Sequence, residues 1–416
     1  MSGLIISAAM QYVNAAEGWQ ADINYLYYKR DFEDHTDRMQ SGFGLAIKYS
    51  TSLIANQFQL AVSPYIAEKI TSSGYIKEDV FKVDNNNALS GFALIGEVYG
   101  AWLPRPELEF KLGRQKHKSN LLSSKTRVLS STFEGMHADW SPDNNTNIFS
   151  ALYHKWSRRA DDKFEHFSSD ISDAGAIKYI FVAGAKKKLN NLSVQVEYLY
   201  AHEYLHKWLF ESIYTLRHVD HKASKFSFGL FGAHDGGDLF LVGAERGELD
   251  YDPAAITGEE YSYNSLAVYA GYAYQHNNSE TGIYFTRFGE PWLEDNFSGD
   301  HGTNPFPANT IGPDLTNKNE SVIVLEYKKN WRVHGLAGLD TRIAYAYGYG
   351  IENSAHQSLG TAEESWFDFD AKYRFAKIAG LMTRLRYRVY RSDEDGEVAG
   401  VKQDQSDLRL SVNYRF

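Results

Sequence analysis

Apolar and polar residues alternate with a period of two along almost the whole chain. Near the carboxyl end, Phe367, Phe369, Ala371, Tyr373 and Phe375 alternate with Asp368, Asp370, Lys372 and Arg374. Thr383, Leu385, Tyr387 and Val389 then alternate with Arg384, Arg386, Arg388 and Tyr390. Leu408, Leu410, Val412, Tyr414 and Phe416 alternate with Arg409, Ser411, Asn413 and Arg415. The same pattern recurs upstream at Phe43–Tyr49, Phe58–Val62, Leu108–Leu112, Leu192–Tyr200, Phe226–Leu230, Leu266–Tyr272, Ile323–Tyr327 and Leu339–Tyr347. Successive side chains on a strand point to opposite faces, so each segment predicts a strand with one greasy and one polar face. Helical periodicity is scarce, and only Leu205–Leu216 reads equally as helix or strand.

Two all-β architectures use such strands. A soluble sandwich turns the greasy face inward, whereas a transmembrane barrel turns it to lipid and its charges to a wet lumen. Short turns such as Asn190-Asn191 and Gly335-Leu336-Ala337-Gly338 alternate with long polar loops at Lys116–Thr132, Ser157–Ala174 and Glu290–Asn319. That asymmetry is what an outer-membrane barrel shows. No linker or shift in composition divides the chain, which predicts one domain over residues 1–416. Residues 1–16 read as a trimmed signal remnant or a first-strand segment.

Composition sharpens the picture at a few points. No stretch approaches the ~18 apolar residues of a membrane-spanning helix, but a barrel strand needs only ~9–11 and hides them in alternation. Mean hydropathy is −0.45, an average that such alternation conceals. The 29 Tyr, 24 Phe and 8 Trp suit aromatic girdles at the two membrane interfaces. They would also suit a secreted glycan-binding β protein. There are no cysteines, which removes disulfides, thiolate metal sites and cysteine nucleophiles. A net charge of −10 without a long basic block gives a nucleic-acid partner little electrostatic support.

Four places in the chain resemble one known family. They are Tyr27-Tyr28-Lys29-Arg30-Asp31-Phe32; Leu112-Gly113-Arg114-Gln115 with Thr126–Gly135; Asn319-Glu320-Ser321 through Leu325-Glu326-Tyr327 to Gly335–Leu339; and Tyr373–Phe416 with Arg384-Leu385-Arg386-Tyr387-Arg388 at its centre. In order and spacing they are similar to the OprD-type porins, substrate-specific outer-membrane channels for carboxylates. The chain departs from the family's usual residues at Asn24, Ser130 and Glu134. The resemblance implies a monomeric antiparallel barrel of about eighteen strands, within the range of bacterial outer-membrane proteins. It implies long loops folded inward, chiefly the third and seventh, and a row of basic wall residues that guides a carboxylate through the eyelet. It also implies a chain surrounded by lipid bilayer and lipopolysaccharide. The solutes implied are amino acids and aromatic or aliphatic acids, with antibiotics a further class.

The alternation itself places Arg342, Lys372, Arg374, Arg384, Arg386, Arg388 and Arg409 on the polar face of neighbouring strands. Strands lie ~4.8 Å apart and same-face residues ~6.6 Å apart, so a carboxylate can pass from one cation to the next. The arginine fork pairs bidentately with carboxylate and keeps its proton, and rows of Arg and Lys are how pores select anions. Lumen acids offer the opposing reading, in which Asp340, Asp368, Asp370, Glu326 and Glu197 tie these arginines into structural pairs. Lys116, Lys118, Lys125 and Arg127 in the third loop are the candidate constriction. Tyr373, Tyr387 and Tyr414 fall on the lipid side as girdle residues.

Enzymatic readings find little support, and no cofactor is implied. His202-Glu203-Tyr204-Leu205-His206 has the spacing of a zinc-protease helix, but it follows a strand and no third ligand stands out. An oligosaccharide or general-diffusion porin is the alternative within channels.

Overall fold

A computed structural model describes residues 17–33, 35–168, 175–219, 222–240, 263–293, 304–308, 311–352, 360–393 and 403–416. Residues 1–16 lie outside them. The strands are Gly18–Phe32 (β1), Arg38–Ser50 (β2), Phe58–Gly74 (β3), Lys82–Val83 (β4), Leu89–Ser90 (β5), Phe92–Arg105 (β6), Leu108–Gln115 (β7), Thr132–Asp143 (β8), Thr146–Ser157 (β9), Phe167–Ser168 (β10) and Ala176–Ile177 (β11). They continue with Ile180–Leu189 (β12), Leu192–Ala201 (β13), Leu205–Arg217 (β14), Lys222–Asp235 (β15), Asn264–His276 (β16), Ser279–Phe288 (β17), Ser321–Asn330 (β18), Leu339–Glu352 (β19), Thr361–Arg374 (β20), Leu381–Ser392 (β21) and Gln405–Arg415 (β22).

Eighteen of these strands form one antiparallel sheet in which each pairs with its neighbour in sequence. β1 pairs with both β2 and β22, so the sheet closes on itself. Closure leaves no unpaired edge, the condition for a sheet to cross lipid. The remaining four strands make two small hairpins, β4–β5 and β10–β11, within the loops. The stretch that read equally as helix or strand is β14, held between β13 and β15.

The predicted faces are present. Phe43, Tyr49, Leu60, Leu112, Phe367, Leu385, Tyr387 and Leu410 are exposed on the outer wall. Arg409, Asp407, Arg388, Asp368 and Glu197 are buried on the inner one. β1 begins at the end of the barrel that carries the short turns. Asn190 and Asn277 open two of those turns at φ +49° and +51°, the left-handed conformation asparagine tolerates and a two-residue hairpin requires. Pro64, which cannot donate to a ladder, sits at a register shift between β3 and β6. The long loops gather at the other end, which in an outer-membrane barrel faces outward.

Candidate functional site

The third loop, residues 116–131, crosses the lumen. On one side the Glu197 carboxylate of β13 accepts the backbone N–H groups of Asn120 and Leu121 at 2.8 and 3.0 Å. Leu121 and Leu122 are buried beside them. On the other side Asn24 of β1 donates from Nδ2 to the Val128 carbonyl at 3.1 Å. Gly44 of β2 lets this contact happen, because a Cβ there would stand 2.4 Å from that carbonyl oxygen. β1 and β13 lie on opposite sides of the ring, so the loop forms a bar across the pore. Residue 117 helps seat it. The His117 ring is buried and meets the Tyr153 hydroxyl at 3.1 Å through Nδ1. Burial, reinforced by the His137 imidazole, pushes His117 down to about 3, so it is neutral at physiological pH.

The seventh loop closes from the other direction. The Leu293 carbonyl accepts from Lys207 of β14, whose ammonium also lies 5.1 Å from the Trp292 ring. Phe306 packs edge-on against Phe231 of β15 and Phe288 of β17, with centroids 4.7 Å away in each case. Arg388 of β21 donates to the Pro313 carbonyl at 2.7 Å, and Asn317 donates to Glu364 of β20 at 2.8 Å. Between the third loop and the turn-end wall remains a cavity of about 530 Å³, lined among others by Asn24, Thr126, Ser130, Arg374, Met382 and Asn413.

The basic wall is largely paired. Arg342 bridges Glu326 and Asp368 at 2.5 Å. Arg374 reaches Asp340 at 2.5 Å, and Arg384 forks onto Asp370. Arg388 is fully buried, 3.9 Å from Asp368 and stacked 4.5 Å over Trp366. Arg409 pairs with Asp407 through two bonds, at 2.7 and 2.8 Å, and Arg30 joins the same carboxylate at 2.7 Å. The lumen acids named from the sequence are thus all engaged. Arg386 and Lys372 stand apart. Neither makes an ion pair or hydrogen bond among the described residues, and both are half-exposed. Arg386 pairs in register with Asp370 and Arg409, yet both of those side chains are turned to other partners.

The third-loop residues divide similarly. Lys116 sits 3.5 Å from Glu97 and 5.6 Å from the Tyr65 ring. Lys125 is held through its backbone by Ser131. Lys118 is exposed. Arg127 lies over Tyr28, centroid 5.9 Å away, with Arg30 and Arg409 over the same ring at 5.7 and 5.2 Å. Tyr28 is thus the hub of three guanidinium groups, a role that the sequence signals only through the alternation of Leu26, Tyr28 and Arg30 on the inner face of β1 and not through the motif that contains them. Of the positions that depart from the family, Asn24 and Ser130 face the cavity. Glu134 instead pairs with Arg114 at 2.7 Å, on the same face of its hairpin as Leu112 and Met136, which are exposed on the outer wall.

A closed eighteen-strand barrel, apolar outside, charged inside and narrowed by two inward loops, is the architecture of an outer-membrane porin. The family model described as "outer membrane porin, OprD family" matches residues 105–416, and the chain belongs to that family. Among solved structures it is similar to Acinetobacter baumannii OccAB3, with a TM-score of 0.80 and 16% identity over 97% of this chain and 99% of that one. Pseudomonas aeruginosa OccK8 (OprE) gives 0.79 and 16%, covering 96% and 97%. Pseudomonas aeruginosa OpdK with vanillate gives 0.77 and 17%, covering 96% and 98%. No curated protein matches the chain. The protein is a substrate-specific porin of the bacterial outer membrane, a passive channel rather than an enzyme.

Proposed function

We propose that this porin selects small carboxylate-bearing solutes, and that Arg386 with Lys372 provides the selecting charge. The observation that carries the reading is that these two cations, of the seven on the predicted basic wall, keep their charge uncommitted. Arg342, Arg374, Arg384, Arg388 and Arg409 hold their own carboxylates and act as scaffold. Their pairing also leaves Arg386 flanked by Arg384 and Arg409, whose guanidinium groups keep other cations away. A solute carboxylate 4 Å from one such cation gains about 1 kcal/mol even in bulk water, and more where wall and loops exclude water. That is strong enough to favour entry and weak enough to permit release, as conduction requires. The similar OpdK was solved with vanillate, so an aromatic monocarboxylate is a suitable first probe.

The test is reconstitution in planar bilayers. With Arg386→Ala and Lys372→Ala combined, anion preference and vanillate permeation should fall about fivefold, the factor corresponding to ~1 kcal/mol. Heat-modifiable gel migration should be unchanged. Unaltered carboxylate permeation through the folded double variant would refute the proposal.

A further inference from the structure

We infer that the cavity beneath the third loop receives the hydroxylated tail of the solute, so that the acids this channel favours are polyhydroxylated carboxylates of the sugar-acid kind. The inference rests on the carboxylate selection proposed above and concerns the rest of the same molecule.

The cavity lies on the turn-end side of the two uncommitted cations. Arg374, Met382, Asn413 and Asn24 stand level with one another in register across β20, β21, β22 and β1, and all four line it. Lys372 is two residues before Arg374 on the same inward face, one step of roughly 6.6 Å toward the loops. Arg386 is two such steps from Met382. A carboxylate held at Lys372 therefore leaves the far end of a six-carbon solute inside the cavity, whose volume is about 530 Å³.

No free charge awaits that end. Of the cations in the lining, Arg374 holds Asp340, Arg415 holds Asp22 and Lys116 lies against Glu97. What remains is neutral hydrogen-bonding capacity. Asn24 donates through Nδ2 to the Val128 carbonyl and accepts through Oδ1 from Asn413 Nδ2. This relay fixes the direction of both amides and leaves Asn413 Oδ1 without a donor among the described residues. On the loop side, Thr126 and Ser130 share one hydrogen bond between their hydroxyls at 2.7 Å. Two hydroxyls carry two protons, so one is left to donate, and lone pairs on both oxygens are left to accept. The wall thus offers an acceptor and the loop a donor to the same space. A hydroxylated chain answers both. An alkyl tail of equal length would strip these groups of water and return no hydrogen bond, which a polar site penalises. Leu129 and Met382, also in the lining, meet the C–H faces of the chain.

Gluconate and hexanoate are the probes, since each has six carbons and one carboxylate and they differ in hydroxylation alone. Reversal potentials across planar bilayers holding the full chain give their permeability ratio. The wild type should favour gluconate about fivefold, the ratio to which one net hydrogen bond of ~1 kcal/mol corresponds. Thr126→Val with Ser130→Ala removes the loop hydroxyls and should bring the ratio near one, with the loss falling on gluconate and heat-modifiable migration unchanged. Ser130→Ala alone leaves one hydroxyl and should give an intermediate ratio. A wild-type protein that passes the two acids equally would overturn the inference and leave carboxylate selection standing, since both acids carry that group. So would the wild-type ratio in the folded double variant or, where that variant forms no barrel, in Ser130→Ala. A gluconate preference that persists in Arg386→Ala with Lys372→Ala, with carboxylate permeation undiminished, would support the hydroxyl site and place the fault in the charge reading.

Discussion

At the scale of single residues, pairing separates the wall cations that hold a carboxylate from the two that do not. Asp407 shows the scaffold role. It is buried, and both Arg409 and Arg30 spend their charge on it. Breaking a buried pair by removing one partner typically costs about 3–5 kcal/mol, because the other charge is left uncompensated. Asp407→Asn should therefore lower the temperature of the heat-modifiable transition, read on gels. It should also raise anion preference in bilayers, since two guanidinium groups would be freed into the lumen. A variant as stable and as selective as wild type would show that the pair matters to neither property. The inward face of every arginine in this wall was legible from the period of two. Which arginines are free was not legible, because partners such as Asp370 for Arg384 or Asp368 for Arg342 come from neighbouring strands. A single strand's pattern does not state the register that brings them together.

At the scale of elements, the third loop depends on the wall it leans on. Among its fastenings are the Glu197 carboxylate and the Asn24 amide, the latter reaching the Val128 carbonyl because Gly44 has no side chain there. Gly44→Leu would push the Val128 carbonyl off the wall, since even a Cβ would stand 2.4 Å from it. Close-packed interiors do not absorb such overlap without displacement, at a typical cost of about 1–3 kcal/mol. Single-channel recordings should then show a changed conductance with added noise, while the barrel still forms; an identical trace would mean the loop does not set the eyelet. The length and polarity of this loop were plain from the sequence, and its inward fold was implied by family resemblance. The receiving surface was harder to read. Gly44 sits inside an ordinary alternating strand, and Glu197 counted only as one of several lumen acids.

At the scale of the whole molecule, the seventh loop ties together strands far apart around the ring, from β14 through β17 to β20 and β21. Its closing point is Glu320, just before β18, which is completely buried. Asn317 donates to Glu320 from its backbone at 2.8 Å and to Glu364 from its side chain at 2.8 Å, and the Tyr390 hydroxyl donates to Glu364. Gly348 lies so near that a Cβ would collide with the Glu320 carboxyl. The adjacent Lys318–Glu290 pair, 3.2 Å apart, is the nearby charge on the loop itself. Burial first, and then the charge of Glu364, hold the Glu320 carboxyl well above the usual range. When the loop lifts, Glu320 meets water and returns toward the ordinary value of about 4.3. The docked loop thus binds a proton that the lifted loop releases. Docking is firmest in acid, where both states are protonated, and weakens as pH climbs above ~4.3 toward the raised value, by up to ~1.4 kcal/mol per unit. Recordings from pH 5 to pH 9 should show conductance and gating noise rising with pH. Glu320→Gln keeps the shape and a neutral donor, so its trace should be flat over that span. A flat wild-type trace, or a Gln variant with the wild-type slope, would place the control of the eyelet elsewhere in the barrel.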